Sequence, residues 1–366
     1  MLRDTYAEIN LNHLEYNIAT LREAADKPLM AVVKADGYGH GAPQVAKKAW
    51  ECGIEWMAVS SPDEALEIRE VCPEARILVL SSVLDKACEQ MTEFGISVAA
   101  YLPEHISAMQ KASEKVGKPA LVHLKADTGM GRIGFATDEE LDAVLNELKV
   151  SPDVVCEGLF THFATADEAD LSFAEKQLKR YNEIRDKVFS AGFSPVCHAA
   201  NSAATVSLPD ARFDLCREGI AMYGYAPSDE IDMKGIVLKP VMTLKSYISH
   251  IKTVHKGDSV SYGRIYVAEE DRVIATVPAG YADGYLRSLS GKGFAVVNGS
   301  RAEQVGRVCM DQTMFDVTGL DVKEEDEIEL FGENVPADEL ASLAGTISYE
   351  LLTGITKRVP RVYIGE

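Results

Sequence analysis

Short apolar runs rich in β-branched residues recur through the first two thirds of the chain, at 29–34, 56–60, 76–81, 96–102, 120–127, 154–163, 195–200 and 213–219. Their near-continuous hydrophobicity suits strands buried on both faces of a parallel sheet. Between them lie stretches with apolar positions three and four apart, among them 62–71, 103–116, 138–148 and 171–191, which is the pattern of helices burying one face. Eight strand-then-helix units in roughly 200 residues predict an α/β barrel of the TIM type with an outer ring of helices. An open doubly wound sheet is the competing arrangement. It ranks lower because no Gly-x-Gly-x-x-Gly turn follows the first strand.

The rhythm stops near 227–239. Beyond it, strand patterns with short turns predominate, at 241–255, 272–277, 294–297, 302–308, 314–317 and 327–331, with helices expected only at 337–343 and 349–352. At the start of the chain, 5–10 reads as a strand and 11–25 as a helix. The expected organisation is a (β/α)8 barrel over 11–235 and a C-terminal mainly-β domain over 236–366.

Composition excludes several classes of function. The 37 basic and 57 acidic side chains give a formal charge of -20, which opposes nucleic acid and anionic membrane surfaces, so neither is expected as a partner. No apolar stretch is long enough to span a bilayer, and the opening Met1-Leu2-Arg3-Asp4 lacks a signal-peptide core; a cytoplasmic location is expected. The seven cysteines are scattered, with no Cys-x-x-Cys pair, which suits reduced buried thiols and no metal site.

The candidate chemistry gathers at the predicted carboxyl ends of the barrel strands, where barrels of this kind place their reacting groups. Lys34 ends the first strand and is followed by Gly37, Gly39 and Gly41, which let the backbone turn tightly and approach a ligand. A cation there is either a rim residue or a reactive amine. Lys125 and Asp127 end the fifth strand, His162 the sixth, His198, Asn201 and Ser202 follow the seventh, and Arg217 and Gly219 end the eighth. Five polar strand ends out of eight point to a site. A lysine that carries an aldehyde cofactor needs companions. Ser202 with the Gly219 and Ile220 amides, and the Tyr38 and Tyr349 hydroxyls, could hold its phosphate. Arg217 could face its pyridine nitrogen and, staying protonated, keep that nitrogen unprotonated and the ring a weak electron sink. Asp36 and His40 equally suit turn capping.

The segment from Ala31 through Lys34 to Gly41 resembles the pyridoxal-phosphate attachment motif of the alanine racemase family. Further ordered segments agree: Lys125-Ala126-Asp127-Thr128-Gly129-Met130-Gly131-Arg132, Thr161-His162-Phe163, Asn201-Ser202-Ala203, Arg217-Glu218-Gly219-Ile220, Ser261-Tyr262-Gly263-Arg264, Gly280-Tyr281-Ala282-Asp283, Cys309-Met310-Asp311 and Ser348-Tyr349-Glu350. The resemblance implies a fold-type III pyridoxal 5'-phosphate enzyme acting as a head-to-tail homodimer, with the N-terminal strand (1–10) joining the β domain.

It also implies roles. Lys34 carries the cofactor and is one catalytic base; Tyr262, from the other subunit, is the second, so that each face of the substrate carbon has its own proton carrier. Tyr38, His162, Asn201, Ser202, Arg217, Gly219, Ile220 and Tyr349 are cofactor-binding, and His162 also tunes Tyr262. Arg132 and the Met310 amide bind the substrate carboxylate. Lys125 matches a position where some family members carry a carbamylated lysine and others a different residue, Asp311 and Tyr281 are supporting residues, and Cys309 is a pocket-wall thiol. The activity implied is interconversion of L- and D-alanine, supplying D-alanine for peptidoglycan. A serine or broad-spectrum racemase is the first alternative. A non-catalytic cofactor-carrying regulator is the second, disfavoured because such proteins lack the β domain. Decarboxylases of the fold are longer and carry a Gly-Gly-Gly phosphate loop, which this chain lacks.

Overall fold

The computed structural model describes residues 3–365. Residues 1, 2 and 366, assigned from the sequence to the N-terminal strand and the β domain, lie outside the described residues. The chain divides into two compact units, one of residues 15–37 and 42–238, the other with a described part of residues 3–14, 38–41 and 239–365.

After a first strand β1 (Tyr6–Asn10), the barrel strands are β2 (Leu29–Val32), β3 (Trp56–Val59), β4 (Arg76–Val79), β5 (Ser97–Ala100), β6 (Ala120–Lys125), β7 (Val154–Phe160), β8 (Val196–His198) and β9 (Cys216–Glu218). All pair in parallel in the order β8-β7-β6-β5-β4-β3-β2-β9. At the seam, β8 and β9 are linked by single bonds, from the Asp214 amide to the Cys197 carbonyl (3.0 Å) and from the Arg217 amide to the Ala200 carbonyl (3.1 Å). All eight strands are shorter than the apolar runs that predict them. In most of them the surplus follows the strand, at the carboxyl end of the sheet where the polar groups lie, whereas in 213–219 three residues precede it.

The outer helices are α1 (Leu11–Ala25), α2 (Ala42–Glu51), α3 (Pro62–Val71), α4 (Asp85–Glu93), α5 (Pro103–Val116), α6 (Asp138–Lys149), α7 (Ser172–Ser190) and the short α8 (Ser202–Ser207). Local chemistry sets several ends. Ser61 with Glu64, and Thr137 with Glu140, form capping boxes at the starts of α3 and α6, and Gly117 ends α5 in the left-handed conformation. On α6 the apolar positions Leu141, Val144, Leu145 and Leu148 are all buried, each worth about 1.5–3 kcal/mol relative to exposure.

The other unit is built on a nine-stranded sheet of β1 and β10 (Met242–Tyr247), β11 (His250–Val254), β14 (Arg272–Val277), β15 (Phe294–Val297), β16 (Ser300–Gln304), β17 (Thr313–Asp316), β18 (Glu327–Phe331) and β19 (Arg361–Ile364). A separate hairpin pairs β12 (Ser259–Val260) with β13 (Tyr266–Val267). The helices are α9 (Ala337–Ala344) and α10 (Ser348–Thr353). β1 runs antiparallel to β10 and parallel to β19.

The structure corrects two of the expected strands. The run 241–255 is two strands, because the backbone changes partners at its middle: Ile248 N–H donates to the Asp326 carbonyl and Ser249 N–H to the Thr276 carbonyl, leaving β10 beside β1 and β18 and β11 beside β14. The run 302–308 starts two residues earlier and stops at Gln304, ahead of Gly306, whose φ of 71° favours glycine.

Candidate active site

Lys34 follows the end of β2, and the chain then makes a left-handed turn. Ala35 (φ 53°, ψ 52°), Asp36 (54°, 46°), Gly37 (59°, 46°) and Tyr38 (φ 53°) occupy the left-handed region in succession. For residues other than glycine this costs roughly 1–2 kcal/mol each, so neighbouring groups must fix the turn. Glu64 accepts from the Ala35 amide (2.8 Å) and, through its other oxygen, from the Ser60 amide (2.7 Å); Asp36 accepts from the Ala42 amide (3.0 Å). Asp36 and Glu64 thus cap the turn, and buried His40 bonds the Tyr38 carbonyl through Nδ1 (2.9 Å). Lys34 itself is half-buried. Burial, with the Arg132 and then the Arg217 guanidinium, lowers its pKa from the ordinary lysine value, against an upward pull from Glu64.

At the end of β6, Lys125 is buried, donates to the Ala126 carbonyl (2.6 Å) and lies 5.4 Å above the Phe160 ring. Burial and the Arg217 and Arg132 charges bring its pKa down to about 7, outweighing Asp127. Asp127 organises the following loop by accepting from the amides of Gly129 (2.9 Å), Gly131 (3.1 Å) and Arg132 (3.1 Å). Burial raises the Asp127 pKa, but these amides and Lys125 bring it net below the usual carboxylate value. Arg132 is exposed at the tip of this loop.

Arg217 ties the last three strand ends together. Its Nη1 donates to the His198 carbonyl (2.7 Å) and to His198 Nδ1 (3.1 Å), and its Nη2 to the carbonyls of Thr161 (2.8 Å) and Ala199 (2.9 Å). Four of the five guanidinium N–H groups are thereby used, and Nε–H has no hydrogen-bond partner among the described residues. Burial pulls the Arg217 pKa to about 10, so it remains a cation at neutral pH. His162, just beyond β7, is driven well below the ordinary histidine value by burial and by Arg217, Arg132, Lys125 and Lys34, and is neutral. Just past β9, the Gly219 amide donates to Ser202 Oγ at the start of α8 (2.9 Å), and Asn201 Oδ1 caps α8 through the Ala204 amide (3.0 Å). Ile220 follows Gly219 in a short 3-10 turn.

The remaining candidates lie in the β-rich unit. The rings of Tyr38 and Tyr349 approach at 6.1 Å, tilted by 50°. Burial raises the Tyr38 pKa to about 12, which keeps its hydroxyl protonated. Tyr262 projects from the turn between β12 and β13, 71% exposed, flanked by Ser261 and Arg264 at φ 67° and 51°. Ser261 Oγ lies 3.4 Å from Cys309 Sγ, and the amides of Tyr281 and Ala282 donate to the carbonyls of Cys309 and Met310 (3.0 Å each). Asp311 accepts from Arg358 (2.8 Å), which also pairs with buried Asp283 (3.1 Å). The structure therefore gathers Lys34, Lys125, Arg132, His162, Asn201, Ser202, Arg217, Gly219 and Ile220 at one end of the barrel. It groups Tyr262, Tyr281, Cys309, Met310 and Asp311 on the β-rich unit.

Three residues that serve the site were not singled out from the sequence. Glu64 holds the lysine turn, and the Ser61-Pro62-Asp63-Glu64 cap was its only local signal. His123 and Glu157 lie behind Arg217.

This arrangement, a parallel barrel with an amine of lowered pKa and a buried guanidinium at the carboxyl end, accompanied by a β-rich unit, has close counterparts among known proteins. Residues 9–227 match the alanine racemase N-terminal domain and residues 241–363 the alanine racemase C-terminal domain. The chain therefore belongs to the alanine racemase family. The curated alanine racemase of Desulforamulus reducens is 42% identical over 370 residues, covering all of both chains. The solved alanine racemase of Clostridium difficile 630 has a TM-score of 0.94 at 39% identity, covering 100% of this chain and 96% of that one. The enzyme from D-cycloserine-producing Streptomyces lavendulae has 0.95 at 37%, covering 100% and 98%. The alanine racemase of Bacillus anthracis, solved with bound L-Ala-P, has 0.93 at 38%, covering 100% and 96%.

Proposed function

We propose that this chain interconverts L- and D-alanine with pyridoxal 5'-phosphate attached at Lys34, in a homodimer whose site takes Tyr262 from a second copy. The observation that carries the reading is the pairing of a lysine of lowered pKa with a buried guanidinium whose Nε–H has no partner among the described residues. That set of donors fits the cofactor. The lowered pKa of Lys34 eases loss of its proton, which suits attack on an aldehyde, and Arg217 Nε–H would meet the pyridine nitrogen. Ser202, Gly219 and Ile220, with Tyr38, Asn201 and Tyr349, would hold the phosphate, and His162 would flank them. When bound, the cofactor supplies the electron-withdrawing ring that makes the α-proton of an amino acid removable.

The protein's own groups then divide the work. Arg132 and the Met310 amide orient the substrate carboxylate, supported by Asp311 and Tyr281, with Cys309 lining the pocket. Lys34 takes or returns the Cα proton on one face and Tyr262 on the other, so inversion needs no large movement of the substrate. The 71% exposure of Tyr262 on a strained turn suits a side chain meant for another copy. Lys125, with a pKa of about 7, offers the neutral amine that carbamylation requires, and the product would be an anion beside Arg132. The L-Ala-P bound to the Bacillus anthracis enzyme favours a small substrate, and the Tyr349 ring would crowd the space beyond an alanine methyl. D-Alanine made here would serve peptidoglycan, and the free thiols suit the reducing cytoplasm.

The test is incubation of purified enzyme with L-alanine and with L-serine in heavy water. Conversion of alanine with deuterium at Cα is expected, with serine much slower. An enzyme that binds the cofactor but leaves alanine unexchanged would defeat the reading; faster turnover of serine would move the substrate.

A further inference from the structure

Behind Arg217, inside the barrel, runs a line of polar side chains that the chemistry above does not use. Arg217 Nη1 lies 3.1 Å from His198 Nδ1, His198 Nε2 lies 2.8 Å from His123 Nδ1, and His123 Nε2 lies 3.2 Å from Glu157 Oε2. Ser97 Oγ bonds the same carboxylate oxygen. Both imidazoles are fully buried. Phe160 stacks on His198 at 5.0 Å and 5°, and Trp56 meets His123 at 5.5 Å and 71°. A glycine makes room for the line: a Cβ at Gly158 would stand 2.1 Å from His123 Nδ1. The β6–β7 register shifts where that ring enters, between Val122 and His123.

The direction of every hydrogen bond follows from one end. A guanidinium only donates, so His198 Nδ1 must accept and its proton sits on Nε2. That N–H donates to His123 Nδ1, which leaves the His123 proton on Nε2, facing the Glu157 carboxylate. A further proton on either ring would set two donors against each other. The charged neighbours agree. Burial, then Arg217 and Arg76, hold His123 below its ordinary pKa against Glu157, and burial, then His123, Arg217 and Lys125, hold His198 well below its own. Arg76 stands 3.9 Å from the other Glu157 oxygen.

We propose that Glu157 is a positioning residue for Arg217: through the fixed tautomers of His123 and His198 it holds the guanidinium at the strand ends, with Nε–H left for a ligand. The proposal rests on the reading of Arg217 as a cofactor contact only for its kinetic consequence. Its structural content stands alone.

Neutron diffraction from crystals of the deuterated, unsubstituted enzyme reads the tautomers directly. Deuterium is expected on Nε2 of both rings and on neither Nδ1, at about pH 6 and about pH 8 alike. Deuterium on either Nδ1 overturns the proposal. In solution, Glu157→Ala should lower kcat about 10-fold or more with KM within about 3-fold, and shift the visible band of the bound cofactor. Glu157→Gln, whose amide oxygen still accepts from His123, should restore most of kcat. A folded Glu157→Ala enzyme with unchanged band and kcat would also overturn it. Failure of the unsubstituted enzyme to exchange alanine would instead strike the functional reading and leave the neutron result standing.

Discussion

At the scale of single residues, the site depends on pKa values moved by burial and by like charges. Lys34→Ala should abolish the visible absorbance of bound cofactor, read in an ordinary spectrum; a retained band would mean that another amine carries it. Lys125 has a consequence for stability. Its folded pKa of about 7 lies below the unfolded lysine value, so below pH 7 both states are protonated and the buried ammonium destabilises the fold in full. As pH rises from about 7 toward the unfolded value near 10.4, the folded protein holds fewer protons than the unfolded one, and stability rises by up to about 1.4 kcal/mol per pH unit. In carbon-dioxide-free buffer, urea unfolding should therefore find Lys125→Met more stable than the parent at pH 6, with the gap closing by pH 9. A pH-independent gap would contradict the assignment. Lys34, Lys125, His162, Ser202 and Arg217 were all legible as polar residues closing apolar runs. Glu64, His123 and Glu157 were not, because each acts through a partner 29 to 34 positions away or more, beyond any local pattern.

At the scale of elements, hydrophobic periodicity gave the helices closely. The 11–25, 62–71 and 103–116 segments match α1, α3 and α5 at both ends, since capping residues and prolines mark their starts. Strands were harder. The run 241–255 looks continuous because its two halves are both half-buried strands, and only the change of hydrogen-bond partners at Ile248 and Ser249 separates them. β19, four residues of mixed polarity, carries no alternation long enough to read. The left-handed turn after β2 is the element on which the site hangs, and Glu64 is its support. Glu64→Ala removes the acceptor for the Ala35 amide and half of the α3 capping box. It should cost about 1–3 kcal/mol and weaken cofactor retention more than it changes KM for alanine; equilibrium unfolding and dialysis of the bound cofactor measure both. Gly158→Ala would drive a methyl into the His123 ring and should cost about 1–3 kcal/mol, read in the same unfolding experiment.

At the scale of the whole molecule, the eightfold alternation of strand and helix made the barrel legible, and the loss of that rhythm near residue 227 made the second unit legible. What periodicity alone could not yield is how the residues of the two groups combine, because Tyr262 and Lys34 are 228 positions apart and belong to different compact units. In the proposed homodimer they meet in one site formed by two copies of the chain. Co-expression of Lys34→Ala and Tyr262→Phe chains tests this most directly. Each variant alone should be nearly inactive in racemisation. A dimer containing one of each has one site with both substitutions and one with neither. Random pairing should then restore about a quarter of the parent activity per dimer. Recovery near that level is the expected result; activity no greater than the sum of the two separate variants, in a sample shown to contain mixed dimers, would contradict a site shared between copies.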